Sequence, residues 1–258
     1  MVTSTRPAPG KERRKAAAEA PRSLDSSDVL LLTAQKLFAE KGIDAVSMRE
    51  IARESGQRNN SALHYHFGSK EALIQAILQR GMVQIDELRN DYLDRVFADQ
   101  RHTQLRALVE AVVWPLATGL ATTQMNSYNR FLAAAQMHPD IDLAASTRED
   151  GERGFRRIQE WMEPLLPDVP PLVQRQRFLA AVAFVIFSLS DFERLKALRG
   201  RTNRGFDLQR AVENLIDMLC GAMAAPVSTQ VAQRVAQHGS PPAPAIAKAK
   251  KTPQKRSA

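Results

Sequence analysis

Ser47, Arg58, Asn59, Asn60, Ser61, His64, Tyr65 and Lys70 crowd side-chain donors and acceptors into residues 47–70. That chemistry suits a duplex. An arginine can hold guanine through two hydrogen bonds, and an asparagine can do the same with adenine. Arg58, Asn59, Asn60 and Ser61 are therefore read as base contacts, with His64 as a further candidate. Ser47, Tyr65 and Lys70 suit phosphate, Ser47 and Lys70 because each lies at a helix start, where free amides favour an anion. A solvated turn would carry the same polar run, so the frame around it decides.

Ser47 stands three residues before Glu50, the spacing of a reciprocal capping box. Met48, Ile51 and Ala52 then share a face, and Gly56 can leave the helix with positive φ. A preceding helix carries Leu30, Leu31, Ala34, Leu37 and Phe38 as an apolar stripe. Ser26, Ser27 or Asp28 is its expected cap, and Lys41-Gly42 its end. Leu63 and Phe67 belong to the core of the third helix, with His66 packed under the turn. Three short helices on one small core, the third polar at its start, describe a helix-turn-helix that sets this start into the major groove.

Catalysis finds little support. His64 and His66 lie two apart on different helix faces, so they cannot chelate one metal as an i, i+4 pair does. His102, His138 and His238 have no cysteine or carboxylate cluster near them in sequence. Glu110, Glu149, Asp150 and Glu152 read as solvated helix faces. There is no phosphate-cradling glycine loop and no G-x-S-x-G elbow. The chain is not expected to be an enzyme, and no cofactor or metal is expected.

Net charge is +8 over 258 residues, but the excess sits at the ends. Residues 1–23 hold six basic and two acidic side chains, and residues 226–258 hold six basic and none acidic. Both stretches are rich in Pro, Ala and Lys and read as disordered tails that attract phosphate without reading sequence. The longest apolar run, Phe178–Leu189, is too short to cross a bilayer. No secretion signal opens the chain, and one cysteine, Cys220, allows no internal disulfide. A cytoplasmic protein with no membrane partner is expected.

From Ser69 onward the periodicity stays helical: a long helix to Phe97, another over 105–116 kinked or broken near Pro115, then 123–138, 147–163, 171–199 and 206–225. The middle of the 171–199 segment is apolar nearly all round, the pattern of a helix buried on every side. A second subunit could supply part of that burial; a purely intrachain core is the alternative.

LLLTAQKLFAEKGIDAVSMREIARESG followed by HYHFGSKEAL resembles the N-terminal domain of the tetracycline-repressor (TetR) family of bacterial transcription regulators. The likeness covers residues 28–75. One extra residue separates Gly56 from Phe67, and His64 takes the usual tyrosine position with Tyr65 after it. The resemblance implies an all-α fold: a three-helix helix-turn-helix domain over 24–80 and a larger helical ligand-binding and dimerisation domain over 81–225, between the two tails. It implies a homodimer on a pseudo-palindromic, double-stranded operator, with Val182, Val185, Ile186, Leu189 and Phe192 meeting Leu215, Ile216 and Leu219 at the interface. It also implies a small hydrophobic effector among the middle helices. Trp114, Met125, Tyr128, Phe131, Met137, Phe155 and Trp161 are the candidates to line that cavity, and Tyr128, Asn129, Arg130 and His138 the nearest polar groups. Repression relieved by effector is the expected behaviour, and a constitutive dimeric regulator without effector is the alternative.

Overall fold

The structure is a computed structural model that describes residues 25–57, 61–118, 120, 127–143, 152–197 and 205–238. Among them are ten α-helices and no strand. Helix α1 (Ser26–Lys41) starts on Asp25, whose carboxylate accepts the Asp28 N–H at 2.7 Å, so the cap lies one residue before the expected ones. Helix α2 (Met48–Glu54) starts on Ser47, whose hydroxyl accepts the Glu50 N–H at 3.2 Å. Glu50 in turn accepts from Lys41 Nζ at 2.7 Å, and this lysine, with a smaller pull from the Ser47 backbone, holds its carboxyl below the usual range. The capping box therefore also staples α2 to the end of α1. Gly56 has φ 77°, which an L side chain tolerates poorly, and turns the chain toward α3 (Ser61–His66).

Gly68 (φ 73°) and the Ser69 cap launch α4 (Lys70–Ala98). Its 29 residues span about 43 Å at 1.5 Å per residue, and it runs from the three-helix head along the second domain. Helix α5 (Leu105–Thr118) continues through Pro115 rather than breaking there, at the loss of one amide donor. Helices α6 (Tyr128–Gln136) and α7 (Arg153–Met162) follow, α7 ending in a 3-10 turn at Glu163–Leu165; residues 123–126 and 147–151 of the two expected helices lie outside the described residues. Helices α8 (Pro171–Ala197) and α9 (Leu208–Ala224) follow. Residues Thr229–His238, expected to belong to a disordered tail, form α10.

One continuous apolar cluster runs from Leu30 and Phe38 in the head to Val212 and Met223 in α9. Two polar nodes cross it. Asp86 on α4 accepts the Gly154 N–H at 3.0 Å and so caps α7 from another helix, while Arg89 and Asn90 donate to the same carboxylate at 3.1 and 2.9 Å. Burial lowers the Arg89 pKa to about 10, against the pull of Asp86, so the guanidinium stays charged at neutral pH. Arg106 on α5 joins Glu110 to Glu213 and Asp217 of α9.

Candidate nucleic-acid interface

Leu63 is fully buried and pins α3 against Ile51 and Phe38 in the cluster of the head. Pinned on that side, α3 turns Ser61, His64, Tyr65 and His66 outward. Tyr65 is 86% exposed, so its ring and hydroxyl are open to a partner. The His64 ring is held through Nδ1 at 3.0 Å from the Gly68 carbonyl. With Nδ1 donating, Nε2 is left as the outward acceptor. Ser47 is exposed, and its hydroxyl accepts the capping amide while keeping its own hydrogen to donate. Lys70 is half-buried at the start of α4, its Nζ 5.8 Å from the centre of the Phe38 ring. Arg58, Asn59 and Asn60 lie outside the described residues. His66 corrects the sequence reading: it is exposed beside Tyr65, with ring centres 5.2 Å apart, rather than packed under the turn. Its two-residue offset from His64 gave no sign of this on a helix so short.

The head is fastened to the second domain chiefly by α6. Phe131 stacks on Phe38 at 6.1 Å, and Arg130 donates to the Ala39 carbonyl at 2.9 Å. His138 Nε2 lies 3.0 Å from Asp44, whose pKa it lowers, and Gln35 donates to the Ser127 hydroxyl at 3.4 Å. Arg80 of α4 pairs with Asp28 of α1. Tyr128 is buried against Gly81, its hydroxyl 3.3 Å from the Leu78 carbonyl, and burial pushes its pKa up.

Several residues expected to line an effector cavity have partners within the chain. Tyr128, Arg130, Phe131 and His138 join the head to the second domain. Phe155 packs edge-on to Phe178 and under Arg89, whose guanidinium is 3.9 Å from its ring centre. Trp161 stacks on Phe97 at 5.7 Å. Their partners on α4, Gly81, Arg89 and Phe97, are spread over about 24 Å of helix, so they do not converge on one chamber. Trp114 is half-buried on α5, Met137 is exposed, and Met125 lies outside the described residues. A cavity of about 220 Å³ between α7 and α8, lined by Arg156, Met162, Gln174 and Phe178 among others, includes none of these candidates.

The dimer residues need a similar correction. Val185, Ile186, Leu189, Leu215, Ile216 and Leu219 are at most 3% exposed within a single chain, so they form the core of the protomer. Val182 and Phe192 are half-buried. Leu179, Phe184 and Phe187 on α8 and Met218 on α9 are among the large apolar side chains left exposed. No single helix among the described residues is long and apolar enough to span a membrane.

Residues 30–77 match the family profile described as bacterial regulatory proteins, tetR family, and residues 110–222 match the tetracyclin repressor-like C-terminal domain. Over 84 residues the chain is 39% identical to the HTH-type transcriptional repressor KstR2 of Rhodococcus jostii, a stretch covering 33% of this chain and 38% of that relative. It is 28% identical over 147 residues to the HTH-type transcriptional repressor Rv3405c of Mycobacterium tuberculosis, across 55% of this chain and 73% of the relative. A tetR-family structure from Shewanella sp. PV-4 shares the fold with a TM-score of 0.52 at 15% identity, over 77% of this chain and 98% of that one. With both domain profiles matched in order across more than half of its length, the chain belongs to the TetR family and is a DNA-binding transcription regulator.

Proposed function

We propose that the chain is a dimeric repressor that reads a pseudo-palindromic operator with α3 and releases it when a small hydrophobic effector changes the separation of the two heads. The observation that carries this reading is the outward face of α3, where Tyr65 stands exposed beside His64 and His66 on a helix pinned by Leu63. Arg58, Asn59, Asn60 and Ser61 read bases, while Ser47, Tyr65 and Lys70 meet phosphate. Leu179, Phe184, Phe187 and Met218 supply the apolar two-fold face, because an exposed patch of this kind marks an interaction surface. Two relatives that carry the name repressor support the sign of regulation.

A ligand shifts such a system only by binding one arrangement of the heads better than the other. The fastening of α1 to α6 supplies the mechanical link. The dense packing of Tyr128 and Phe131 favours a second reading, a constitutive dimeric regulator without effector. Fluorescence anisotropy with duplexes from the neighbouring promoter tests both: the first reading expects binding at one dimer per site, reversed by an apolar metabolite. Binding that no metabolite reverses would support the second, and no binding at low salt would overturn both.

A further inference from the structure

Helix α6 lacks the cap its sequence offers. Ser127 precedes it, but with φ 77° the residue is left-handed rather than extended, and its side chain makes no capping bond. Its hydroxyl is used by Gln35 of α1 instead. The free amides at this helix start are met from another helix, by Glu193 of α8. The backbone N–H groups of Ser127, Asn129 and Arg130 face the Glu193 carboxylate and favour its charged form. Two acceptors at this junction are nevertheless buried with no donor: Glu193 Oε2 and Asn129 Oδ1. Glu193 is 5% and Asn129 1% exposed, so bulk solvent does not reach them. Orphaned acceptors of this kind are rare and costly in a native interior.

We propose that Glu193 is a proton-binding clamp that sets how firmly α6, and with it the DNA-binding head, is held to the second domain. A proton on Oε2 removes a buried charge and gives the junction the donor it lacks. Arg130 transmits the change. Its backbone N–H and its charge face the same carboxylate, and its guanidinium holds the Ala39 carbonyl at the end of α1. When Glu193 is ionised, Arg130 is drawn toward it and away from Ala39. When Glu193 is neutral, Arg130 is left to the head.

Few other charges face the site. From α6 the facing group is Arg130, and α5 is uncharged from Ala111 to Thr118. Gln35 is the residue that α1 sends to the junction, through Ser127. On α8 itself, Lys196 is bonded to the Leu120 carbonyl and Asp191 is paired with Arg194. Burial pushes the Glu193 pKa up to about 7, outweighing Arg130 and the three N–H groups. A carboxyl raised in the folded state favours folding below its unfolded value and loses that contribution as pH rises through the folded one. The hold of Arg130 on the head is therefore tight at pH 6 and loosened at pH 8. Its consequence for operator binding rests on the repressor reading; the clamp itself does not.

The test uses the full-length protein with ¹³C-labelled glutamate carboxyls. One resonance titrating near neutrality in the wild type and missing from Glu193→Gln is expected. A Glu193 resonance titrating in the ordinary carboxylate range overturns the proposal. Glu193→Gln, a neutral amide with its own donor, should hold its melting temperature between pH 6 and 8 while the wild type loses stability. Arg130→Gln removes the opposing charge and should move the wild-type titration upward; no movement would overturn the role of Arg130. At fixed salt, operator affinity should change about fivefold between these pH values in the wild type and not in Glu193→Gln. A clear titration with flat affinity would overturn the link to the head but leave the clamp. Absence of DNA binding at either pH would sink the repressor reading alone.

Discussion

Gly81 of α4 and Tyr128 of α6 compete for one volume: a Cβ at position 81 would lie 2.1 Å from Tyr128 Cζ. The glycine is what allows α6 to reach across α4 to α1. Alanine there gains about 1 kcal/mol of helix propensity, but inserting a carbon into a filled site costs about 1–3 kcal/mol. At this separation from a fully buried ring, the steric loss wins. Gly81→Ala should lower stability by about 1–2 kcal/mol in urea melts. Gly81→Ala with Tyr128→Leu should recover part of it, and additive losses would show that the two residues do not share the space.

The proposed two-fold face and the protomer core lie on opposite sides of α8, so substitutions separate them. Phe187→Glu, at 40% exposure, should leave the protomer folded and shift sedimentation toward monomer. Leu189→Ala, at 0% exposure, should cost about 2–5 kcal/mol whatever the oligomeric state. A Phe187→Glu protein that stays dimeric would place the interface elsewhere.

The sequence made the head readable because each signal there was local. Ser47 with Glu50, Gly56 at positive φ and the stripe through Leu30, Leu37 and Phe38 act over one or two turns. The second domain was less readable because its decisive contacts are distant. Helix α8 is apolar on both sides, so periodicity could not say whether Leu189 or Phe187 faced its own chain. Tyr128, Arg130 and Phe131 carry the composition of a cavity wall, but Gly81 and Phe38, far away in sequence, turn them into a joint between domains. Glu193 lies 5% exposed on α8, a burial that no local pattern in the sequence announces.

Asp86 should be among the least replaceable acids in the chain. It balances Arg89, which is 2% exposed, and caps α7 through the Gly154 N–H. Removing one partner of a buried ion pair costs about 3–5 kcal/mol because the other charge is stranded. Asp86→Asn should therefore melt well below the wild type. Asp86→Asn with Arg89→Met should be more stable than Asp86→Asn alone, since the stranded charge is gone. Equal melting of the single and double variants would mean that the cap, not the charge, dominates.

Tyr65 and Lys70 are both assigned to phosphate, yet salt should tell them apart. Affinity for DNA falls with salt in proportion to the cationic contacts that displace counterions. Lys70→Met should weaken every duplex and reduce the slope of log affinity against log salt by about 1. Tyr65 is neutral, so Tyr65→Ala should lower affinity with the slope unchanged. Being 86% exposed, it should also change folding stability by no more than about 0.5 kcal/mol. Arg58→Ala should behave differently from both, with a loss of about 1–3 kcal/mol confined to operators carrying the contacted base pair. Anisotropy titrations over a salt series, on the operator and on single-base variants of it, separate the three outcomes. A uniform loss for Arg58→Ala across those variants would remove it from base reading and return it to the backbone.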